Sequence, residues 1–263
     1  MGEAAANKYT FGDNVRASAR LRRLAEMYEP ESRELLRRSG INAPRLAVDL
    51  GCGPGWSTHL LQDVLKPGRT VGLDASPVFV EEARTRYGAD LEFKVHDVVS
   101  VPFPIDTPDV MFCRFLLTHL RSPGEVLAAW AGVVAPGGLL VVHETESLDA
   151  SHPALQLYYQ LLEQLQRHQG QTLQVGAVLE DGFAGSAWRL VESERRLLEK
   201  PAGDMAELHL ANLRTWRDDE YAQRAFDSDE IAALEISLGR IANRREDGGV
   251  VVNAARQIIA RRG

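Results

Sequence analysis

An apolar run that leads directly into three closely spaced glycines constrains this chain more than any other stretch. Residues 46–50 read Leu-Ala-Val-Asp-Leu, a pattern typical of a strand inside a parallel sheet. Gly51, Gly53 and Gly55 follow at once, and glycines let the chain turn sharply so that backbone N–H groups can approach a ligand. Residues 57–65 then repeat apolar side chains at helical spacing. A strand, a glycine turn and a helix N-terminus predict a site for a polar or anionic group.

The spacing of the glycines limits which ligand this turn can bind. A dinucleotide fingerprint reads G-x-G-x-x-G, whereas here Trp56 occupies the third glycine position and a bulky indole fits a pyrophosphate poorly. A P-loop is excluded because no Gly-Lys-Ser/Thr follows. Asp49 lies two residues before the first glycine. An acid at this place suits a positively charged ligand, and S-adenosylmethionine is one.

From Asp49 to Gly55 the sequence resembles the first motif, D/E-x-G-x-G-x-G, of the class I S-adenosylmethionine-dependent methyltransferases. A Pro136-Gly137-Gly138 turn before a further apolar strand extends this resemblance over residues 45–145. The resemblance implies S-adenosylmethionine as the cofactor and S-adenosylhomocysteine as the product. It also implies an α/β fold: a doubly wound, mostly parallel, Rossmann-like sheet of seven strands, with an antiparallel last strand and added cap helices.

The acids that follow the second and third predicted strands complete the expected cofactor site. Asp74 lies some two dozen residues past the glycines, where a βαβ unit places a carboxylate near ribose hydroxyls. The alternative is an N-cap or Asx turn before the helix that begins near Pro77, a task that Ser76 could also perform. The resemblance assigns Asp97 and Val98 to the adenine, and a loop-capping carboxylate is the alternative for Asp97. The full predicted cofactor set is Asp49, Gly51, Cys52, Gly53, Gly55, Asp74, Ala75, Asp97, Val98, Cys113 and Arg114, together with Tyr9 and Phe11 of the N-terminal segment.

The N-terminal segment, residues 1–43, is predicted to be a helical lid made of two short helices, the second ending at Gly40. Tyr9 and Phe11 stand together in a polar context and either shield the methionine end of the cofactor, as lid residues do, or anchor the first helix to the core.

His119 follows the fourth predicted strand, whose carboxyl end faces the ligand in an open parallel sheet. A histidine with a pKa near neutrality can take a proton from an acceptor hydroxyl or amine, so His119 is the candidate catalytic residue. A capping or packing histidine is the alternative. Arg114 is expected to pair with an acidic substrate group, with Glu144 or with Asp109.

Residues 44–147 form the predicted Rossmann-like core, and residues 148–263 are predicted to complete the sheet and to cap the substrate. Pockets combine aromatic side chains with a few polar groups, and each candidate has a core or surface role as its alternative. No zinc-type His spacing appears, so no metal site is predicted. The candidates for acceptor contact are His143, Tyr158, Tyr159, Asn212, Arg214 and Trp216.

The charge and the cysteine content of the chain limit which binding partners and which compartment are expected. The net charge of −7 argues against a nucleic-acid surface, because phosphate binding rests on clustered Lys and Arg. The two cysteines suggest no disulfide framework, and no secretory or membrane-spanning stretch is evident, so a cytoplasmic protein is expected. A small-molecule acceptor is therefore favoured, while a monomer and a homodimer remain equally compatible with the sequence.

Three other functions remain as alternatives. An RNA or protein methyltransferase needs a basic surface or an Asn/Asp-Pro-Pro-aromatic motif, and residues 113–116 read Cys-Arg-Phe-Leu instead. A non-catalytic S-adenosylmethionine-binding protein would share the same acids, and only turnover separates it from an enzyme. An NAD-dependent oxidoreductase is disfavoured by Trp56.

Overall fold

A seven-stranded sheet organises the residues that this computed structural model describes, namely Gly12 and residues 15–263. Its strands are β1 (Leu46–Leu50), β2 (Arg69–Asp74), β3 (Glu92–Val95), β4 (Val110–Arg114), β5 (Leu139–Ala150), β6 (Trp188–Pro201) and β7 (Val250–Arg262). The order across the sheet is β3-β2-β1-β4-β5-β7-β6. The pairs among β1 to β5 are parallel, and β7 is antiparallel to both of its neighbours. The predicted fold class is confirmed.

Helices cover the sheet and its carboxyl edge. They are α1 (Val15–Arg38), α2 (Trp56–Leu65), α3 (Pro77–Tyr87), α4 (Pro123–Ala131), α5 (Pro153–His168), α6 (Leu179–Phe183), α7 (Ala202–Trp216), α8 (Glu220–Ala225) and α9 (Ser228–Ala242). Helices α2, α3 and α4 form crossovers between parallel strands, as a doubly wound sheet requires. The connection from β3 to β4 contains no helix, because three prolines between residues 101 and 109 interrupt any helical ladder.

The alternation of side chains along β1 explains why both faces of the sheet are covered. Leu46, Val48 and Leu50 pack in one cluster with Trp130 of α4. Ala47 points to the opposite face, where it joins apolar side chains of α1 and α2. Successive strand residues point to opposite faces, so a continuously apolar strand requires a helix on each side.

A second apolar core lies beyond the parallel half of the sheet. Strand β5 runs for 12 residues and pairs along most of its length with β7, which extends the sheet past its neighbours. Helices α5, α7 and α9 pack against this extension through a cluster that includes Tyr158, Trp216 and Leu238. These helices lie within residues 148–263, the segment for which the sequence predicts a substrate cap.

The N-terminal segment differs from the prediction, because α1 is one continuous helix of 24 residues and not two. Pro30 lies within it on an exposed side. The apolar face that joins Tyr28 to Leu35 and Leu36 passes through Ser32, which is fully buried. A polar residue inside the apolar stripe made the helix look interrupted in the sequence. Tyr9 and Phe11 lie outside the described residues.

Candidate active site

A cavity of about 500 Å³ opens at the carboxyl edge of the parallel strands, within the range of roughly 300–1,000 Å³ that small-molecule sites occupy. The glycine turn after β1, the acids after β2 and β3, and the segment after β4 form its lower wall. Residues of α1, α5 and α7 form the opposite wall. Ligands in open α/β sheets bind at this edge.

The three glycines of the turn are required by the backbone itself. Gly51, Gly53 and Gly55 have φ values of +68°, +51° and +90°, a region that costs residues with a Cβ roughly 1–2 kcal/mol. A Cβ on Gly51 would also lie 2.7 Å from Cδ1 of Leu116. The turn therefore depends on glycine for its shape and for the close approach of the segment after β4.

The N–H groups of this turn donate to the protein. Those of Gly51 and Cys52 both donate to the carbonyl oxygen of Leu73, at 2.8 and 3.0 Å, and that of Gly53 donates to Oδ2 of Asp74 at 2.8 Å. The expected anion site at this turn is thus taken up by the end of β2. Carbonyl oxygens of the turn also have partners within the protein: that of Cys52 accepts from the N–H of Gly55 and that of Pro54 from Nη1 of Arg86, each at 3.0 Å. Because a carbonyl oxygen has two lone pairs, it can accept from a second donor, and this suits an ammonium group better than a phosphate.

Asp49 lies behind the turn and not on the cavity surface formed by the described residues. Its Oδ2 accepts hydrogen bonds from the hydroxyls of Ser57 and Thr58, both at 2.7 Å. Burial raises the pKa of Asp49 to about 6. Because Gly55 has no side chain to cap α2, the carboxyl of Asp49 supplies a negative group near the positive end of that helix.

Both downstream acids line the cavity and also hold their own loops. The carboxylate of Asp74 accepts from the N–H groups of Gly53 and Ser76, each at 2.8 Å. Oδ1 of Asp97 accepts from the N–H of Val99 at 3.1 Å. Asp74 thus forms a turn contact with Ser76, whereas the cap of α3 is the side chain of Ser76 itself. Asp97 makes the loop-capping contact raised as its alternative, and both acids line the cavity together with Ala75 and Val98. A carboxylate oxygen has more than one lone pair, so it can accept from more than one donor.

At the end of β4, one of the two predicted contacts reaches the cavity. Cys113 is fully buried within the sheet, whereas Arg114 lines the cavity and donates from Nη1 to Oγ of Ser32 at 3.2 Å. Burial lowers the pKa of Arg114. Across the part of the chain that the structure describes, no carboxylate lies within 4.0 Å of its guanidinium, so neither Glu144 nor Asp109 pairs with it.

The segment after β4 is held in a strained conformation by Glu144. Phe115 has a φ of +51°, which is uncommon for a bulky residue and typical of functional sites. Oε1 of Glu144 accepts from the next two backbone N–H groups, those of Leu116 and Leu117, at 2.7 and 2.8 Å. Glu144 is fully buried, and burial raises its pKa to about 7.

His119 lines the cavity at the end of this segment. Burial and the nearby charge of Arg20 lower its pKa to about 3. The imidazole is therefore neutral at physiological pH, and its basicity lies far from the near-neutral value that suits a general base.

The candidates for acceptor contact separate into two groups. Tyr159 and Asn212 line the cavity, but the remaining four are absent from the lining formed by the described residues. Tyr158 and Trp216 are buried in the cap core. Arg214 pairs at the surface with Glu235. His143 is fully buried, and its Nδ1 lies 3.0 Å from Oγ of Ser32.

Comparison with known proteins identifies the parallel half. A family model described as "Methyltransferase domain" matches residues 48–142. A trans-aconitate 2-methyltransferase of Methylobacterium radiotolerans is 39% identical over 115 residues, which are 44% of this chain and 44% of that protein. The match thus spans less than half the length of this curated relative.

Solved structures extend the likeness to most of the chain. A Bacillus halodurans protein assigned as a methyltransferase matches with a TM-score of 0.59 and 14% identity, over 87% of this chain and 96% of that one. The family model, the sheet order and the position of the cavity agree. Residues 48–142 of this chain match a methyltransferase domain, in a sheet of the Rossmann-like methyltransferase type. The same fold is also found in the [4+2]-cyclase SpnF, with a TM-score of 0.57 and 16% identity over 89% of this chain and 81% of that one, so the fold alone does not determine the reaction.

The structure adds residues near the cavity whose roles the sequence did not reveal. Gln166, His209 and Asn253 line the cavity from the cap and β7. Glu144, expected only as a partner for Arg114, instead holds the segment after β4. Gln166 lies one helical turn after Leu162 on the buried face of α5, and a glutamine on that apolar face is the signal that could have found it.

Neither a candidate metal site nor a membrane-spanning helix is present in the described part of this chain. The described residues contain no group of three or more His, Cys, Asp or Glu side chains placed to hold a metal. None of the helices among them has the length and apolar character needed to cross a bilayer.

Proposed function

We propose that this protein transfers a methyl group from S-adenosylmethionine to an O, N or C atom of a small metabolite, releasing S-adenosylhomocysteine. One observation carries the proposal: a single cavity has a wall of glycine turn and carboxylates on the sheet side and a wall of aromatic and neutral polar side chains on the cap side. The first wall suits a polar cofactor and the second suits a methyl acceptor, so one cavity can hold both molecules in contact.

The residues of the sheet wall fit the proposed cofactor. Asp74 accepts from the ribose hydroxyls while it also holds Gly53, and Asp97 with the backbone of Val98 faces the adenine. The carbonyl oxygens of the turn accept from the ammonium group, and the guanidinium of Arg114 attracts the carboxylate. When bound, S-adenosylmethionine supplies an activated methyl group on a cationic sulfur.

The chain's own contribution to the reaction is alignment and exclusion of water. Methyl transfer from a sulfonium is an in-line displacement, so the cavity must hold the attacking atom opposite the sulfur. The aromatic and aliphatic side chains that line it exclude water from the charged reactant, which favours a reaction that disperses that charge. Because the pKa of His119 is lowered to about 3, we expect His119 to contact and orient a ligand and not to act as a general base.

The domain organisation follows from the same proposal. Residues 44–147 bind the cofactor, residues 148–263 complete the sheet and form the substrate cap, and residues 1–43 cover the site as a lid. Contacts of α1 with the cavity through Arg20, Leu24 and Tyr28 support a covering role for that segment.

The alternatives make different predictions. An NAD-dependent oxidoreductase remains disfavoured because Trp56 occupies the position at which a dinucleotide fingerprint has its third glycine. An RNA or protein substrate predicts methylation of a macromolecular fraction of cell extract. A non-catalytic binding protein predicts cofactor binding with no labelled product from extract supplied with methyl-labelled S-adenosylmethionine.

The first test is calorimetric binding of S-adenosylhomocysteine to the wild type, Asp74→Ala, Asp74→Asn and the exposed-loop control Asp90→Ala. Loss of a charged hydrogen-bond partner should weaken binding by about 1–3 kcal/mol in Asp74→Ala. Asp74→Asn keeps an acceptor oxygen and should lose less, and Asp90→Ala should match the wild type. Thermal unfolding of each variant separates lost affinity from lost structure. Binding of NADH with no binding of S-adenosylhomocysteine would refute the proposal.

A further inference from the structure

The cap side of the cavity contains buried polar atoms that have no hydrogen-bond partner among the residues that the structure describes. We call this part the acceptor chamber and define it by Tyr159, Leu162, Gln166, Met205, Leu208 and His209, all of which line the cavity from α5 and α7. The chemistry assigned to this chamber rests on the proposed function, because the methyl acceptor would occupy that same site.

Gln166 is the strongest observation. Its side chain is fully buried, it lines the cavity, and neither Oε1 nor Nε2 has a hydrogen-bond partner among the described residues. A buried donor or acceptor left unsatisfied is destabilising, so an amide with both atoms unsatisfied is unexpected on an apolar helix face unless a ligand bonds to it.

His209 presents a second neutral polar atom to the chamber. Its Nε2 lies 2.8 Å from the hydroxyl of Tyr159, and its ring stacks on Tyr158 with centroids 4.3 Å apart. These two contacts fix the ring, while Nδ1 has no partner among the described residues. Burial lowers the pKa of His209 to about 3, so this residue brings no charge to the chamber at neutral pH.

The hydrogen-bonding capacity of an amide selects the class of ligand. Gln166 offers one acceptor and one donor group side by side, and a hydroxyl group, which both donates and accepts, satisfies both. A carboxylate only accepts and an ammonium only donates, so either would leave one atom of the amide unsatisfied. The remaining chamber walls are largely apolar, which favours an uncharged skeleton.

We infer that the methyl acceptor is an uncharged, largely apolar molecule with a hydroxyl group that hydrogen-bonds to the amide of Gln166. The competing possibility is a carboxylate acceptor, since Arg20 also lines the cavity and its charge reaches both His119 and Tyr158. Because the matched relative is named for trans-aconitate, that carboxylate can be compared directly with hydroxyl-bearing probes.

The test uses the full-length protein loaded with S-adenosylhomocysteine and three matched pairs of probes: phenol and benzoate, 1-naphthol and 1-naphthoate, and octan-1-ol and octanoate, with trans-aconitate as a further arm. Calorimetry at neutral pH should give at least one hydroxyl probe that binds about tenfold or more tightly than its carboxylate partner. Gln166→Leu should weaken that probe about tenfold, the effect of one lost hydrogen bond, and leave S-adenosylhomocysteine binding unchanged.

Gln164→Leu is the matched control, because it makes the same change at an exposed position of the same helix. It should bind every probe as the wild type does. Without ligand, Gln166→Leu should raise the melting temperature, since it removes the unsatisfied amide, and Gln164→Leu should not. Preference for a carboxylate or for trans-aconitate, or an unchanged hydroxyl affinity in Gln166→Leu, would overturn the inference. So would failure of every probe while S-adenosylhomocysteine binds, whereas failure of S-adenosylhomocysteine itself would refute the proposed function.

Discussion

Replacement of Glu144 by glutamine should make this protein more stable at alkaline pH and leave it nearly unchanged in acid. The amide keeps an oxygen that can accept from the N–H groups of Leu116 and Leu117, which now donate to Oε1 at 2.7 and 2.8 Å. It removes a carboxyl group that is fully buried and whose charged form the interior therefore disfavours.

The size and sign of the effect follow from the pKa of Glu144. Burial raises that pKa from 4.5 to about 7, which at about 1.4 kcal/mol for each unit of pKa corresponds to roughly 3 kcal/mol. Below pH 4.5 the carboxyl of Glu144 is protonated in both the folded and the unfolded state, so its contribution to the free energy of unfolding is fully present. That contribution is lost as the pH rises to about 7, because the unfolded chain gives up this proton at a lower pH than the folded chain does. Local relaxation of the interior reduces the effect, and we expect about 1–3 kcal/mol.

The assay is urea unfolding of the wild type and Glu144→Gln at about pH 5 and about pH 8.5, followed by tryptophan fluorescence. The difference between the two proteins should be small at the acid pH and about 1–3 kcal/mol in favour of the variant at the alkaline pH. Other titrating groups cancel, because both proteins contain them. Glu199→Gln, at an exposed position of β6, is the control and should show no pH-dependent difference. An equal difference at both pH values, or a less stable variant at the alkaline pH, would refute the reasoning.

Three further predictions concern the turn, a buried histidine and a buried indole. Gly51→Ala should lower the free energy of unfolding by about 2 kcal/mol or more, because the added methyl group meets both a positive φ and a clash with Leu116. Gly137→Ala, at φ +75° with nothing within 4 Å, is the control and should lower it by about 1 kcal/mol. Equal losses in urea titrations would contradict the role of the clash. The pKa of His143 is lowered to about 3, so between about pH 6.5 and pH 3 its imidazole takes up a proton only in the unfolded state. His143→Asn should therefore reduce the fall of the unfolding free energy with decreasing pH by up to about 1.4 kcal/mol per pH unit in that range. An unchanged pH dependence would show that His143 titrates in the folded state. Trp188→Phe removes a 2.7 Å hydrogen bond from the indole to a carbonyl of α4 and should cost about 1–3 kcal/mol in thermal unfolding, while an unchanged midpoint would mean that the bond contributes nothing net.

The parallel half of this protein was predictable because its physical constraints are local. An apolar strand needs cover on both faces, a G-x-G-x-G turn needs positive φ, and an acid directly after a strand must emerge at the carboxyl edge. Asp74 and Asp97 therefore line the cavity, as expected from the sequence. The helix continuity through Ser32 was missed because one buried polar residue looks like an interruption in a stripe.

The cap was less predictable because helical periodicity does not say which partner each face meets. Tyr158 and Tyr159 are adjacent in the sequence, yet only Tyr159 lines the cavity, while its neighbour is stacked inside the cap. Trp216 has the chemistry of a contact residue and packs in the core. The occupied N–H groups of the glycine turn were also hidden, because their acceptors lie on β2, more than 20 residues away along the chain.

The antiparallel strand β7 both completes the sheet and contributes a residue to the cavity. It is inserted between β5 and β6, so until residues 250–262 arrive, two long strands have unpaired edges of the kind that invite association with other chains. The same strand supplies Asn253 to the cavity wall, with its Nδ2 2.8 Å from the hydroxyl of Tyr28 on α1. The pairing of β7 with β5 and β6 therefore also brings α1 into contact with the cavity wall. A chain that lacks residues 250–262 can complete neither the sheet nor this wall of the cavity.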